Sequence, residues 1–209
     1  MSKHQKIARY AMNAKNQEII EETSVNKEEI SNFASLADKW WEPKGAFQAL
    51  HAINIPRLTY IRDELCAFYM RDPIKPEPLK DLNILDVGCG GGIIAEPLTR
   101  LGATVKGIDA GLKAIEVARL HAKGSNLNID YQHTTVENLI NKQDQFDCVL
   151  SLEVLEHVEN LEFFLETCAH LVKPGGIIFL ATINRTIASY LLAIIAAEKI
   201  LRWLPSGIH

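Results

Sequence analysis

Two periodicities of apolar residues run along the chain, and the change between them falls near residue 80. Before it, NKEEISNFASLADKWW repeats apolar positions three and four apart, the spacing of one helix face. Asn26 with Glu29 three residues on predicts the start of that helix, and Pro43 and Gly45 predict its end. IPRLTYIRDELCAFYM predicts a second helix over residues 55–70, and DPIKPEPLKD follows as a proline-rich linker. Beyond the linker, short continuous apolar runs alternate with helical segments. NILDVG (83–88), TVKGID (104–109), IDYQHTT, FDCVLSL (146–152) and IIFLATI read as strands. IIAEPLTRLG, AIEVARLHAK and NLEFFLETCAHLV read as helices, and KPGG as a turn before the last strand. This alternation predicts an α/β domain, a Rossmann-like doubly wound parallel sheet, with an N-terminal helical extension. The expected organisation is a polar arm over 1–27, a helical cap and linker over 28–80, the α/β domain over 81–185, and an amphipathic segment over 186–209. In such sheets ligands sit outside the carboxyl ends of the strands, near the switch in strand order.

Composition narrows the partners. A net charge of −4 argues against nucleic acid, which wants a basic face. Cys66, Cys89, Cys148 and Cys168 form no CxxC pair, so neither a disulfide framework nor a zinc site is expected, and a reducing cytosol suits them. The first residues lack an apolar core and carry early acidic residues, unlike a secretory signal or a transit peptide.

LDVGCGGG puts Gly88, Gly90, Gly91 and Gly92 between the first strand and a helix. Glycine admits close backbone approach, and a helix start offers unpaired N–H groups. Asp109 ends the second strand about twenty residues on, where a carboxylate accepts from ribose hydroxyls. Together they predict a cofactor containing adenosine. Ile93 stands where the dinucleotide fingerprint wants glycine, which disfavours a nucleotide-dependent oxidoreductase. A run of the form D-x-G-C-G-G-G instead resembles motif I of the class I S-adenosylmethionine-dependent methyltransferases, whose loop holds the amino acid end of that cofactor. Gly107-Ile108-Asp109, the stretch from His133 to Glu137, and LVKPGG look like the same superfamily. Asp86, Gly88, Gly90, Asp109 and Glu137 are therefore candidate cofactor residues.

SLEVLEHV (151–158) carries Glu153, Glu156 and His157 at i, i+3 and i+4, which on a helix share one face. Such a group is either a solvated helix edge with first-turn acids favoured by the helix dipole, or a small site. As a site it offers a general base, or two carboxylates and an imidazole for Mg²⁺. Either would help turn a phenol, of pKa near 10 in a tyrosine-like ring, into a phenolate.

The combination of FASLADKWWEPKGAFQALHAINIPRLTYI, LDVGCGGG, SLEVLEHV, LVKPGG, ATINRT and residues 189–209 resembles the ubiquinone-biosynthesis O-methyltransferases. The resemblance implies O-methylation of polyprenyl phenols and catechols, of the 2-polyprenyl-6-hydroxyphenol and 3-demethylubiquinol types, with S-adenosylmethionine. It assigns Arg57, Gly88, Asp109 and Leu152 to the cofactor. It also makes Glu153, Glu156 and His157 metal ligands, with His157 and Glu153 as catalytic candidates. Arg57 would reach from the cap to the cofactor carboxylate. Trp40 and Trp41 would face different sides if helical, so one is expected in the core and the other against a substrate pocket.

Residues 187–204, IASYLLAIIAAEKILRWL, are interrupted by Glu198, Lys199 and Arg202, too often to span a bilayer needing about 20 apolar residues. The segment is expected either to lie in a membrane interface or to cover substrate on the domain. A cytoplasmic protein, peripheral to the inner face of the membrane, follows. The superfamily continues past the fifth strand with a helix and an antiparallel strand pair. This chain closes at LPSGIH, so those strands are expected to be missing and one sheet edge exposed. That opens a second reading, a truncated and non-catalytic subunit of a quinone-biosynthesis complex. A third is a methyltransferase for another small phenol.

Overall fold

The structure, a computed structural model, describes residues 39–42, 44–45, 47–140 and 144–182. The polar arm, most of the first expected helix and the amphipathic segment 186–209 lie outside the described residues. The chain runs α1 (Gln48–Phe68), β1 (Asn83–Val87), α2 (Ala95–Arg100), β2 (Thr104–Asp109), α3 (Leu112–Gly124), β3 (Asp130–His133), α4 (Glu137–Ile140), β4 (Phe146–Leu152), a 3-10 turn (Leu155–His157), α5 (Leu161–Leu171) and β5 (Val172–Ala181). The strands form one sheet in the order β3-β2-β1-β4-β5, and every pairing is parallel. Order reverses between β1 and β4, so the carboxyl ends of these two neighbours flank the crevice expected of a doubly wound sheet.

Alternation within the strands builds a core on each face of the sheet. Ile84, Val105, Cys148 and Leu150 pack with Ile61 and Leu65 of α1, Leu98 of α2 and Ile115 and Ala118 of α3. Leu85, Val87, Ile108 and Val149 point the other way, onto Leu139 of α4 and Phe164, Cys168 and Leu171 of α5. The helical extension is thus a cap on the face shared by α2 and α3. Tyr69, just past α1, donates its hydroxyl to the Asp147 carbonyl at 2.7 Å, which ties the cap to β4.

Three expectations are corrected. The cap helix begins at Gln48 rather than near residue 55, and Pro56 lies inside it. Proline favours the first turn of a helix, yet here two helical turns precede it. KPGG is not a turn ahead of the last strand. It lies within β5 as a bulge, Phe146 pairing with Val172 and Cys148 with Ile177. Asp147 sits opposite the extra residues, accepting from Lys173 Nζ at 2.8 Å and from the Asn83 backbone N–H at 2.8 Å. Finally, Trp40 and Trp41 fall in a tight turn ahead of α1, so the rule for neighbouring helical residues does not govern them. Among the described residues, no helix is long and apolar enough to cross a membrane.

Leu150 is 0% exposed on the central strand pair. Leu150→Ala should lower the unfolding free energy by about 2–5 kcal/mol, read from urea midpoints at unchanged slope.

Candidate active site

The loop after β1 turns sharply, with φ of +72° at Gly88, +52° at Gly90 and +87° at Gly92. Side chains rarely adopt such values, so glycine is required there. Backbone and one carboxylate fasten the loop to β2. Gly88 and Cys89 donate to the Ile108 carbonyl at 2.8 and 3.0 Å, and Gly92 closes the turn onto the Cys89 carbonyl at 2.9 Å. The Gly90 N–H donates to Asp109 Oδ2 at 2.9 Å, while Oδ1 of the same carboxylate accepts from Gly111 at 2.7 Å. Burial pushes the Asp109 carboxyl up, and the two backbone donors pull against it. A carboxylate offers about four acceptor positions, so two amides leave room for a ribose hydroxyl pair.

Space above these glycines is already filled by the protein. A Cβ on Gly90 would lie 2.5 Å from the Trp40 ring and one on Gly91 2.6 Å from Trp40 Cβ, while Gly88 and Gly92 leave room for Val154 and the Tyr131 hydroxyl. Beneath the loop, Asp86 of β1 is 3% exposed, and its Oδ2 has no partner among the described residues. Burial, reinforced by the nearby Asp109 charge, pushes its pKa up to about 7.

Across the crevice, β4 ends at Leu152, which pairs with Ala181 of β5. The backbone then turns at Glu153 with φ +58°, and its N–H donates to the Ala181 carbonyl at 2.8 Å. Arg57 of α1 reaches over to Glu153 and forms an ion pair through Nη2, while its Nη1 donates to Asn54 Oδ1 at 3.1 Å. Burial raises the Glu153 pKa; Arg57 opposes that shift and neighbouring Glu156 adds to it. Glu156 Oε2 accepts from the Thr182 hydroxyl at 2.6 Å.

The E-x-x-E-H stretch is therefore not one face of an α-helix. Glu153 stands in a left-handed turn, Glu156 and His157 belong to the 3-10 turn, and α5 starts only at Leu161. Among the described residues, no three His, Cys, Asp or Glu side chains converge as a metal-holding group. Glu153 and Glu156 lie side by side, with Glu153 engaged by Arg57 and Glu156 by Thr182. Glu137 opens α4 on the other side of the sheet. There, after burial, it helps push the Cys168 thiol of α5 up to about 12. Asp86, Gly88, Gly90 and Asp109 of β1 and β2 thus lie on one side of the reversal of strand order and Leu152 and Glu153 on the other, with Arg57 reaching in from the cap, while Glu137 follows β3, next to β2.

The methyltransferase domain family matches residues 85–180. A ubiquinone biosynthesis O-methyltransferase of Sinorhizobium fredii is 51% identical over 187 residues, 90% of this chain and 75% of the relative. Proteins of the same name from Brucella ovis and Sinorhizobium medicae are 51% and 49% identical over the same shares. The chain belongs to the ubiquinone biosynthesis O-methyltransferase family. Among solved structures, the plantazolicin methyltransferase BpumL, in complex with S-adenosylhomocysteine (SAH) and a monoazolic desmethylPZN analogue, aligns with a TM-score of 0.54 and 21% identity. That alignment covers 83% of this chain and 67% of that one, and shows the shared fold.

Beside the family's loop motif, the sequence singles out Trp40 and Trp41 but not their contacts, and it does not single out His121 or Glu96. Trp41 donates its indole N–H to the Gly91 carbonyl at 2.9 Å, Trp40 stacks on Phe47 with centroids 4.1 Å apart, and His121 and Glu96 meet at 2.6 Å. The paired tryptophans are visible in the sequence, but only the cap's docking angle decides what they touch.

Asp86 keeps its proton in the native state over a range where the unfolded carboxyl, near 3.8, has released it. The native state then binds more protons than the unfolded one, so the Asp86 contribution to stability falls as pH rises from about 4 to about 7 and is level above. Asp86→Asn should gain stability relative to the parent chain across that window, as measured by urea unfolding at several pH values.

Proposed function

We propose that the chain transfers methyl groups from S-adenosylmethionine to phenolic or catechol hydroxyls of polyprenyl ring compounds in ubiquinone biosynthesis. The observation that carries this reading is 51% identity, over 90% of the chain, to proteins bearing that name. The glycine loop and its carboxylate support it. Gly88, Gly90 and Asp109 sit at the carboxyl ends of β1 and β2, a position that supports their holding an adenosine cofactor. Arg57 presents a guanidinium from the cap, whose several donors suit a carboxylate even while one contacts Glu153. Leu152 supplies an apolar edge at the end of β4.

S-adenosylmethionine supplies an electrophilic sulfonium methyl when bound. The protein's share is alignment and removal of one proton from the phenolic oxygen. His157, on the turn after β4, is the proposed acceptor of that proton, and Glu153 the acid that positions Arg57 and the turn. A divalent cation at Glu153 and Glu156 would first need these carboxylates turned away from Arg57 and Thr182; no step here depends on one. The apolar run of residues 187–204, with Lys199, Arg202 and Trp203 near its end, supports work at a membrane surface, where prenyl tails reside. The inner, cytoplasmic face is the proposed side.

The test is methyl transfer to a short-tailed prenyl catechol, followed by mass spectrometry. We expect the mass gain of one methyl with S-adenosylmethionine, and His157→Ala should lower kcat by roughly 10²–10⁴-fold while cofactor affinity stays within about twofold. Cofactor binding without transfer to any prenylated phenol would overturn the substrate assignment.

A further inference from the structure

Three elements far apart in sequence meet beside the glycine loop. Trp41, ahead of α1, donates its indole N–H to the Gly91 carbonyl at 2.9 Å. The same indole lies flat on the His121 ring of α3, with centroids 3.5 Å apart and planes 3° from parallel. His121 Nδ1 is 2.6 Å from Oε1 of Glu96 in α2. Glu96 is 1% exposed, and its other oxygen sits 3.4 Å from Arg100 Nη2. On the cap side, His51 Nε2 lies 2.8 Å from the Trp40 carbonyl and holds the turn from behind.

A carboxylate buried to this degree needs its partners, because an unpaired buried charge is strongly unfavourable. Glu96 therefore sets the plane of the His121 ring, and that ring sets the plane of Trp41. The chain of contacts ends on backbone. Gly91 C=O and Gly92 N–H belong to one rigid peptide plane, and the Gly92 N–H closes the loop onto the Cys89 carbonyl at 2.9 Å. Trp41 grips one end of that plane while the loop turn grips the other. The run Gly90-Gly91-Gly92 is otherwise the part of the chain with the widest backbone freedom. Ligand affinity falls in proportion to the time a loop spends outside its competent form.

We propose that Trp41 is a positioning residue for cofactor binding: supported by His121 and Glu96, it holds the Gly91–Gly92 peptide in the orientation that receives S-adenosylmethionine. This rests on the methyltransferase reading of the loop. Trp41 acts through backbone, so it governs cofactor affinity and leaves turnover at saturation alone.

Trp41→Phe keeps an aromatic ring on His121 and removes the N–H. His121→Gln keeps a hydrogen-bonding partner for Glu96 and removes the stacking ring. Two readouts are needed: S-adenosylmethionine affinity by calorimetry, and hydrogen exchange of the Gly90, Gly91 and Gly92 amides in the ligand-free protein. Trp41→Phe should bind the cofactor about tenfold more weakly, in line with one lost hydrogen bond, and exchange these amides faster. Its kcat at saturating cofactor should remain within about twofold of the parent chain. His121→Gln should shift affinity and exchange in the same direction by a smaller factor, and stands in if the first variant does not fold. Lower thermal stability with unchanged affinity and exchange would make the contact merely structural and overturn the inference. A parent chain that fails to bind S-adenosylmethionine would overturn the cofactor reading itself, and is distinct from a parent that binds and a variant that binds equally well.

Discussion

The carboxyl edge of this sheet is assembled around one carboxylate. Parallel pairing of β1 with β2 sets Val87 beside Ile108 and brings the end of β2 level with the start of the glycine loop. From there Asp109 takes the Gly90 amide with one oxygen and the Gly111 amide with the other. A single side chain thus holds the loop that ends β1 and the N-cap that starts α3. The proposed recognition of a ribose would draw on the acceptor capacity these two amides leave, so loop anchor and cofactor contact would share the same two atoms.

The glycines of the loop answer to the protein before they answer to any ligand. Conventional reasoning assigns such residues to close approach of a cofactor. Here the space that a Cβ would take is claimed by Val154 at Gly88, by Trp40 at Gly90 and Gly91, and by Tyr131 at Gly92. Those three side chains come from the turn after β4, from the cap, and from β3. The loop is therefore the common floor on which distant parts of the chain are packed, and a methyl group added to it would disturb several elements at once.

Much of this was legible in the sequence, because it depends on local rules. Strands such as NILDV and FDCVLSL are buried on both faces and read as continuous apolar runs; the glycine run after β1 and the acid after β2 are set by topology. Misreadings arose where tertiary contacts override local preference. Pro56 looks like a helix start, yet the cap's packing carries the helix through it. KPGG looks like a turn, yet pairing of β5 with β4 absorbs it as a bulge closed by Lys173 and Asp147. Glu153, Glu156 and His157 have helical spacing, but the positive φ of Glu153, anchored to Ala181, takes the stretch out of helical geometry even though Glu153 and Glu156 remain neighbours. The roles of Trp41 and His121 carry no local signal at all, since they are defined by elements brought together only on folding.

The ion pair between Arg57 and Glu153 spans the cap and the exit of β4. If the cap peels away, a partly buried acid in an unfavourable backbone conformation loses its counter-charge; if the exit of β4 rearranges, the cap loses its grip at the same moment. Cap and sheet are therefore tied by this charge pair as well as by the apolar contacts of Ile61 and Leu65. A cap exchanged for another would therefore have to bring a cation to the residue that follows the fourth strand, or leave that acid without its partner.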